Sequence, residues 1–343
     1  MKTCEKPTIV ERVVNLFPGP YVLKCLVFSC LFGVPFLLLT RFLDTVNVET
    51  ALAVFGPLSW QNISTFSFAN FVLLFYAAYG VRYMRSRATA TLSEVESLMP
   101  KSGGKTLHDV FSPVCSMLPA LIVSMLIAVV SLVSFPDQGQ HAAGPISLAL
   151  VVISFPFVYL AYGTFIWVYC SSVNCLYNLG KQPLRLAEFY EDSHLGMKPF
   201  GSLSLSLALV YFAGLGLVFF SFISIPPPLE FALGVMILGG LVLFFLPMNI
   251  LHRRMQDKKR LERQKLNARH RRLLDSIGEP VQSIQTIEAK NLRHILEVDL
   301  INKQVNSISE WPFDTRTLTW LSAIVLTVVA SIITKYITII LGA

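Results

Sequence analysis

Seven apolar blocks of about twenty residues or more, set off by polar connections, constrain this 343-residue chain more than any other feature. Wound as a helix rising about 1.5 Å per residue, such a block crosses a hydrocarbon core about 30 Å thick. Inside a bilayer every backbone N–H and C=O must find its partner within the protein, so these blocks become helices rather than open strands. Composition agrees: 54% of residues are hydrophobic and 14% charged, against about 45–50% and about 25% in ordinary soluble domains. The fold class expected is all-α: a polytopic bundle of seven transmembrane helices in a multi-pass cell-membrane protein.

The blocks lie at residues 22–42, 65–84, 113–135, 145–170, 201–223, 229–250 and 317–341. Basic loops are retained on the cytoplasmic side, so charge sets the orientation. The end of the second block and the connection after it carry Arg82, Arg85, Arg87, Lys101 and Lys105, and the fourth connection carries Lys181, Arg185 and Lys198, whereas residues 43–64, 136–144 and 224–229 contain no Lys or Arg. The second connection reads as a cytoplasmic loop with room for a short helix. The N-terminus is therefore expected inside and the C-terminus outside. Glu5 and Glu11 precede a first block of full span length, so no cleaved signal peptide is expected.

Three regions follow: residues 1–250 as the transmembrane bundle of spans one to six, 251–316 as a cytoplasmic helical anchor segment, and 317–343 as the final transmembrane helix. The anchor segment opens on the densest basic run, with His252, Arg253, Arg254, Lys258, Lys259, Arg260, Arg263, Lys265, Arg269, Arg271 and Arg272. Leu251, Met255, Leu261, Leu266, Leu273 and Ile277 recur through it at helical spacing. The sixth span is thus predicted to continue into the cytoplasm until Gly278-Glu279-Pro280 breaks it.

The net charge of +7 comes from bases beside apolar blocks, with no nucleic-acid motif, so membrane lipids rather than DNA or RNA are the expected partners. Either anionic headgroups or an acidic protein partner would account for the basic run. Six cysteines show no metal-type pairing, and none of the six histidines forms HxxxH or HExxH. No phosphate-binding loop or nucleophile elbow is present, and most spans have no ionisable residue near their middle. The chain reads as a non-enzyme without a cofactor. Glu188, Asp192 and His194 before the fifth span are weak candidates for holding a divalent cation, against the plainer reading of a solvated turn.

In the last block, Thr327, Ser331, Thr334 and Thr338 are spaced by four, three and four and share a narrow arc of one helix face. The arc extends inward through Ala323 and Trp320 to Arg316. Hydroxyls in such a stripe can replace part of an ion's hydration and line a pore, with Arg316 and Trp320 at its inner mouth. Small and hydroxyl residues on one face also let helices pack closely in a bilayer, and both readings stay open.

With these elements placed, the layout resembles the insect-chemoreceptor-like seven-transmembrane ion-channel superfamily, which includes the odorant and gustatory receptors. The shared features are seven spans, an internal N-terminus, a sixth span prolonged into the cytoplasm, a last helix with cytoplasmic and membrane parts, and a chain ending directly after it. The tyrosine and glutamine signature of the insect gustatory last helix is not found at 317–341. The resemblance implies an ion channel or channel-like chemosensory receptor: a homotetramer with the last helices around a central pore and a small-molecule ligand bound among the other helices. The alternatives are a non-conducting membrane sensor or scaffold acting through its basic cytoplasmic helices, and a metal-dependent membrane enzyme or transporter using Glu188, Asp192 and His194.

Overall fold

A computed structural model describes residues 7–46, 60–95, 110–134, 145–182, 195–221 and 227–277, together with the separate positions 296, 300, 303, 319, 322, 323, 326 and 330. In chain order the elements are α1 (Ile9–Val14), α2 (Tyr21–Val46), α3 (Trp60–Val95), a 3-10 turn (Ser112–Cys115), α4 (Met117–Ser134), α5 (Pro145–Lys181), α6 (Lys198–Ser221) and α7 (Pro227–Ile277). No strand occurs among the described residues. The stretches Ile153–Lys181, Lys198–Phe219 and Phe231–Ala268 are long and apolar enough to cross a membrane, and Tyr21–Gly33 and Met117–Ser131 are shorter apolar helices. This is the make-up of an α-helical membrane protein.

Two elements depart from the sequence reading. Helix α3 does not end at the basic cluster: it carries Arg82, Arg85 and Arg87 and continues to Val95. Positive charge marks the membrane boundary but does not stop a helix, and the intervening Ser and Ala residues offer no breaker. Helix α1 is the other addition, started by the Thr8–Glu11 capping box. Helix α7 is as anticipated, a 51-residue helix that passes residue 250 without interruption and ends before Gly278.

Helix α5 is the axis of the bundle, packing against α1, α2, α3, α4, α6 and α7. A helix so enclosed must be apolar nearly all round, and Ala161, Val168, Tyr169, Val173, Leu176 and Leu179 are all buried. Close approach depends on glycine. A Cβ at Gly163 would collide with the backbone of Ser124 in α4, so these two helices cross nearly in contact. The Phe165 ring lies between Gly80 of α3 and Gly214 of α6, where added Cβ atoms would come within 2.8 Å and 3.1 Å of it. One aromatic knob thereby fills a junction of three helices.

Tyrosine hydroxyls bind the same helices together. Tyr76 donates to the Val210 carbonyl at 2.8 Å, Tyr169 to Gly240 at 3.0 Å, and Tyr211 to Met236 at 3.0 Å. The Tyr169 and Tyr211 rings stack with centroids 4.1 Å apart. Each bond lets a polar tip be buried against a carbonyl already used in its own helix, which suits an interior without water. The outer faces are apolar: Leu118, Ile122, Met125 and Leu126 on α4, and Phe231, Val235, Leu238 and Val242 on α7, are exposed. In a bilayer these side chains meet lipid.

Candidate functional site

Every residue singled out in the sequence as a pore or metal candidate, namely Thr327, Ser331, Thr334, Thr338, Arg316 and Trp320 of the last block and Glu188, Asp192 and His194 before the fifth span, lies outside the described residues. Among the described residues no group of three or more His, Cys, Asp or Glu is gathered in a metal-binding arrangement.

The last block is represented by Thr319, Ser322, Ala323, Leu326 and Ala330, each helical and exposed. Ser322 Oγ donates to the Thr319 carbonyl at 2.9 Å, a bond back into its own helix. At about 100° per residue these five positions occupy one face. That face borders the arc of Thr327, Ser331, Thr334 and Thr338, and Ala323 belongs to both. It is composed of small and hydroxyl residues apart from Leu326, which is 71% exposed.

Two polar anchors stand at the end of the bundle where the basic residues gather. In the first, Glu11 is 1% exposed yet fully partnered. Its Oε2 accepts from the Thr8 backbone N–H at 2.9 Å and from Thr8 Oγ1 at 3.0 Å, while Oε1 accepts from Arg85 Nε at 3.1 Å and Nη2 at 2.9 Å. Beside it the Arg82 guanidinium lies 4.1 Å from the centre of the Tyr21 ring, and the Tyr21 hydroxyl donates to the Ala78 carbonyl. Val10 and Val14 place the other face of α1 in the core. The carboxylate is consumed in holding α1 to α3, leaving no acceptor capacity for chemistry.

In the second anchor, Arg254 of α7 donates to the carbonyls of Lys181, at 2.7 Å, and Gln182. These groups lie at the C-terminus of α5, where helix carbonyls lack intrahelical partners and the dipole favours a cation. The Lys181 ammonium rests 4.1 Å from the centre of the Tyr177 ring. The sequence places Arg254 in the cytoplasmic basic run, and its capping role depends on a contact 73 residues distant in sequence. Glu11 left a sequence signal in the Thr8-x-x-Glu11 spacing of a capping box, but Arg85 left none.

Inside the bundle, the hydroxyls of Thr164 and Ser172 on α5 and Ser204 on α6 are buried without a hydrogen-bond partner. Two other polar side chains of this region are paired: Tyr162 donates to Asn70 Oδ1 at 2.7 Å, and Trp167 Nε1 donates to the Pro113 carbonyl at 3.1 Å.

No protein-family model, curated protein or solved structure matches this chain.

Proposed function

We propose that the chain is one subunit of a homotetrameric ion channel or channel-like chemosensory receptor of the cell membrane. In this reading it spans the bilayer seven times with its N-terminus inside. The last helices surround the pore, Thr327, Ser331, Thr334 and Thr338 face the ion path, Arg316 and Trp320 stand at the inner mouth, and a small-molecule ligand binds among the other helices. The observation that carries the reading is the exposed face at Thr319, Ser322, Ala323, Leu326 and Ala330, on which every residue but Leu326 is small or carries a hydroxyl. A face of small and hydroxyl groups gains little from lipid tails and much from close packing or hydration, so it favours a partner helix or water. The long projection of α7 supports the same architecture.

The test is current through the reconstituted protein. Thr334→Leu replaces a hydroxyl on the wetted arc with a bulky apolar group, and conductance should fall several-fold while the protein remains folded. Unchanged conductance in that variant, with the wild type conducting, would remove Thr334 from the pore. Cryo-electron microscopy in nanodiscs supplies an independent check: a monomer with the hydroxyl arc packed dry against other spans would overturn the channel reading.

A further inference from the structure

Apart from the exposed Arg263 and Arg272, the described bases of α7 beyond the membrane include two sets. On the side turned toward the bundle they are engaged: Arg254 caps α5, Lys259 is buried, and Lys258 and Lys265 pair with Glu262 at 3.4 Å and 2.9 Å. The opposite side differs. Arg253, Arg260 and Arg271 are exposed and form no ion pair among the described residues. Their spacings of seven and eighteen from Arg253 bring all three within about 20° of one line along the helix. Arg253 and Arg271 are separated along it by about 27 Å.

Lipid headgroups reach only the membrane-proximal end of that line, where Arg253 stands about 3 Å beyond the apolar stretch. Residues 231–251 contain no Asp, Glu, Lys or Arg, and their length of about 31 Å matches the hydrocarbon core. Because α7 runs on from this stretch as one helix, with Pro247 inside the apolar part, Arg260 stands about 14 Å and Arg271 about 30 Å beyond its inner end along the helix axis. The headgroup layer is only about 5–8 Å deep on each side, and the lipid surface potential decays within about 8 Å at physiological salt. Arg271 is therefore out of reach at an ordinary helix tilt of about 20°.

We propose that the Arg253–Arg260–Arg271 line is a docking surface for an acidic protein segment, an extended or helical peptide with carboxylates spread over about 27 Å. Guanidinium groups suit this task because each can take a carboxylate through two parallel N–H···O bonds. The proposal is independent of whether the chain conducts ions.

The experiment uses the full chain in nanodiscs of phosphatidylcholine, with fluorescein-labelled poly-L-glutamate as the probe. The wild type should bind it, more weakly as salt rises. Arg253→Glu/Arg260→Glu/Arg271→Glu should weaken binding at least about tenfold, while replacement of all three by lysine should keep most of it. Gel filtration and thermal melting confirm that the variants remain folded, and Arg271→Glu alone, at the far end, should weaken binding about threefold if the triple variant does not fold. The proposal is overturned if the wild type ignores the probe or if reversal of the three charges leaves binding intact. It is equally overturned if phosphatidylserine in the disc abolishes binding, since headgroups would then occupy the arginines. Binding of an RNA homopolymer in place of polyglutamate would assign the surface to another class of partner and sink it as well.

Discussion

Glu11 shows how much one carboxylate can hold. Its two oxygens accept four hydrogen bonds, two closing the cap of α1 and two binding the guanidinium of Arg85. Glu11→Ala would remove the acceptor of the Thr8 N–H and two of the hydrogen bonds of Arg85 in a mostly dry setting. The expected cost is about 2–4 kcal/mol, less than for a wholly buried pair because Arg85 keeps some access to solvent. Thermal melting in detergent should show it, with Arg85→Lys intermediate because lysine retains the charge but not the two-pronged geometry. Ser172→Ala should behave in the opposite way. Its hydroxyl has no partner, so removal should leave stability unchanged or raise it, and a loss above about 1 kcal/mol would mean that the hydroxyl is bonded in the membrane-embedded protein. The capping box that starts this cluster was readable from the Thr8-x-x-Glu11 spacing. Arg85 was not, because no local rule joins residues 74 apart.

At the scale of elements, hydropathy located helices well because bilayer thickness fixes their minimum length. The fourth block, expected at 145–170 with a helical continuation toward 178, is α5 (Pro145–Lys181), and the fifth, expected at 201–223, is α6 (Lys198–Ser221). What hydropathy cannot report is whether a helix stops at the membrane surface, so α3 was drawn too short. The two adjacent arginines of α7 separate charge from position. Arg254→Glu should speed amide exchange at the C-terminal turn of α5 by removing its cap, whereas Arg253→Glu, on the exposed side, should leave it unchanged. Glu262 adds a pH dependence. Burial alone would raise its pKa, but the hydrogen bonds and charges of Lys265 and Lys258 outweigh that and hold the carboxyl below its usual value of 4.5. A depressed carboxylate stabilises the folded form at all pH values above its unfolded pKa and loses that contribution as pH falls through the folded one. Helix 258–265 should therefore open faster as pH drops below about 4, and Glu262→Gln should flatten that trend in amide exchange.

At the scale of the whole molecule, the all-α membrane class was legible in composition and block length, because both answer directly to the solvent the chain must live in. The candidate site was legible only as periodicity: spacing places Thr327, Ser331, Thr334 and Thr338 on one arc, while the face that can be seen is its neighbour at Thr319, Ser322, Ala323, Leu326 and Ala330. Which surface an arc turns toward depends on the assembly around it, and no spacing rule encodes that. Helix α7 has a mechanical consequence. Arg254 fastens it to the end of α5 near its midpoint, leaving one arm of about 40 Å toward Pro227 and another of about 35 Å toward Ile277. The membrane arm is held in the bundle by the Tyr169 and Tyr211 hydrogen bonds to its Gly240 and Met236 carbonyls, so a sideways push on the cytoplasmic tip bears first on the Arg254 anchor. Pro247, between that anchor and those bonds, is a joint at which the torque can be lost.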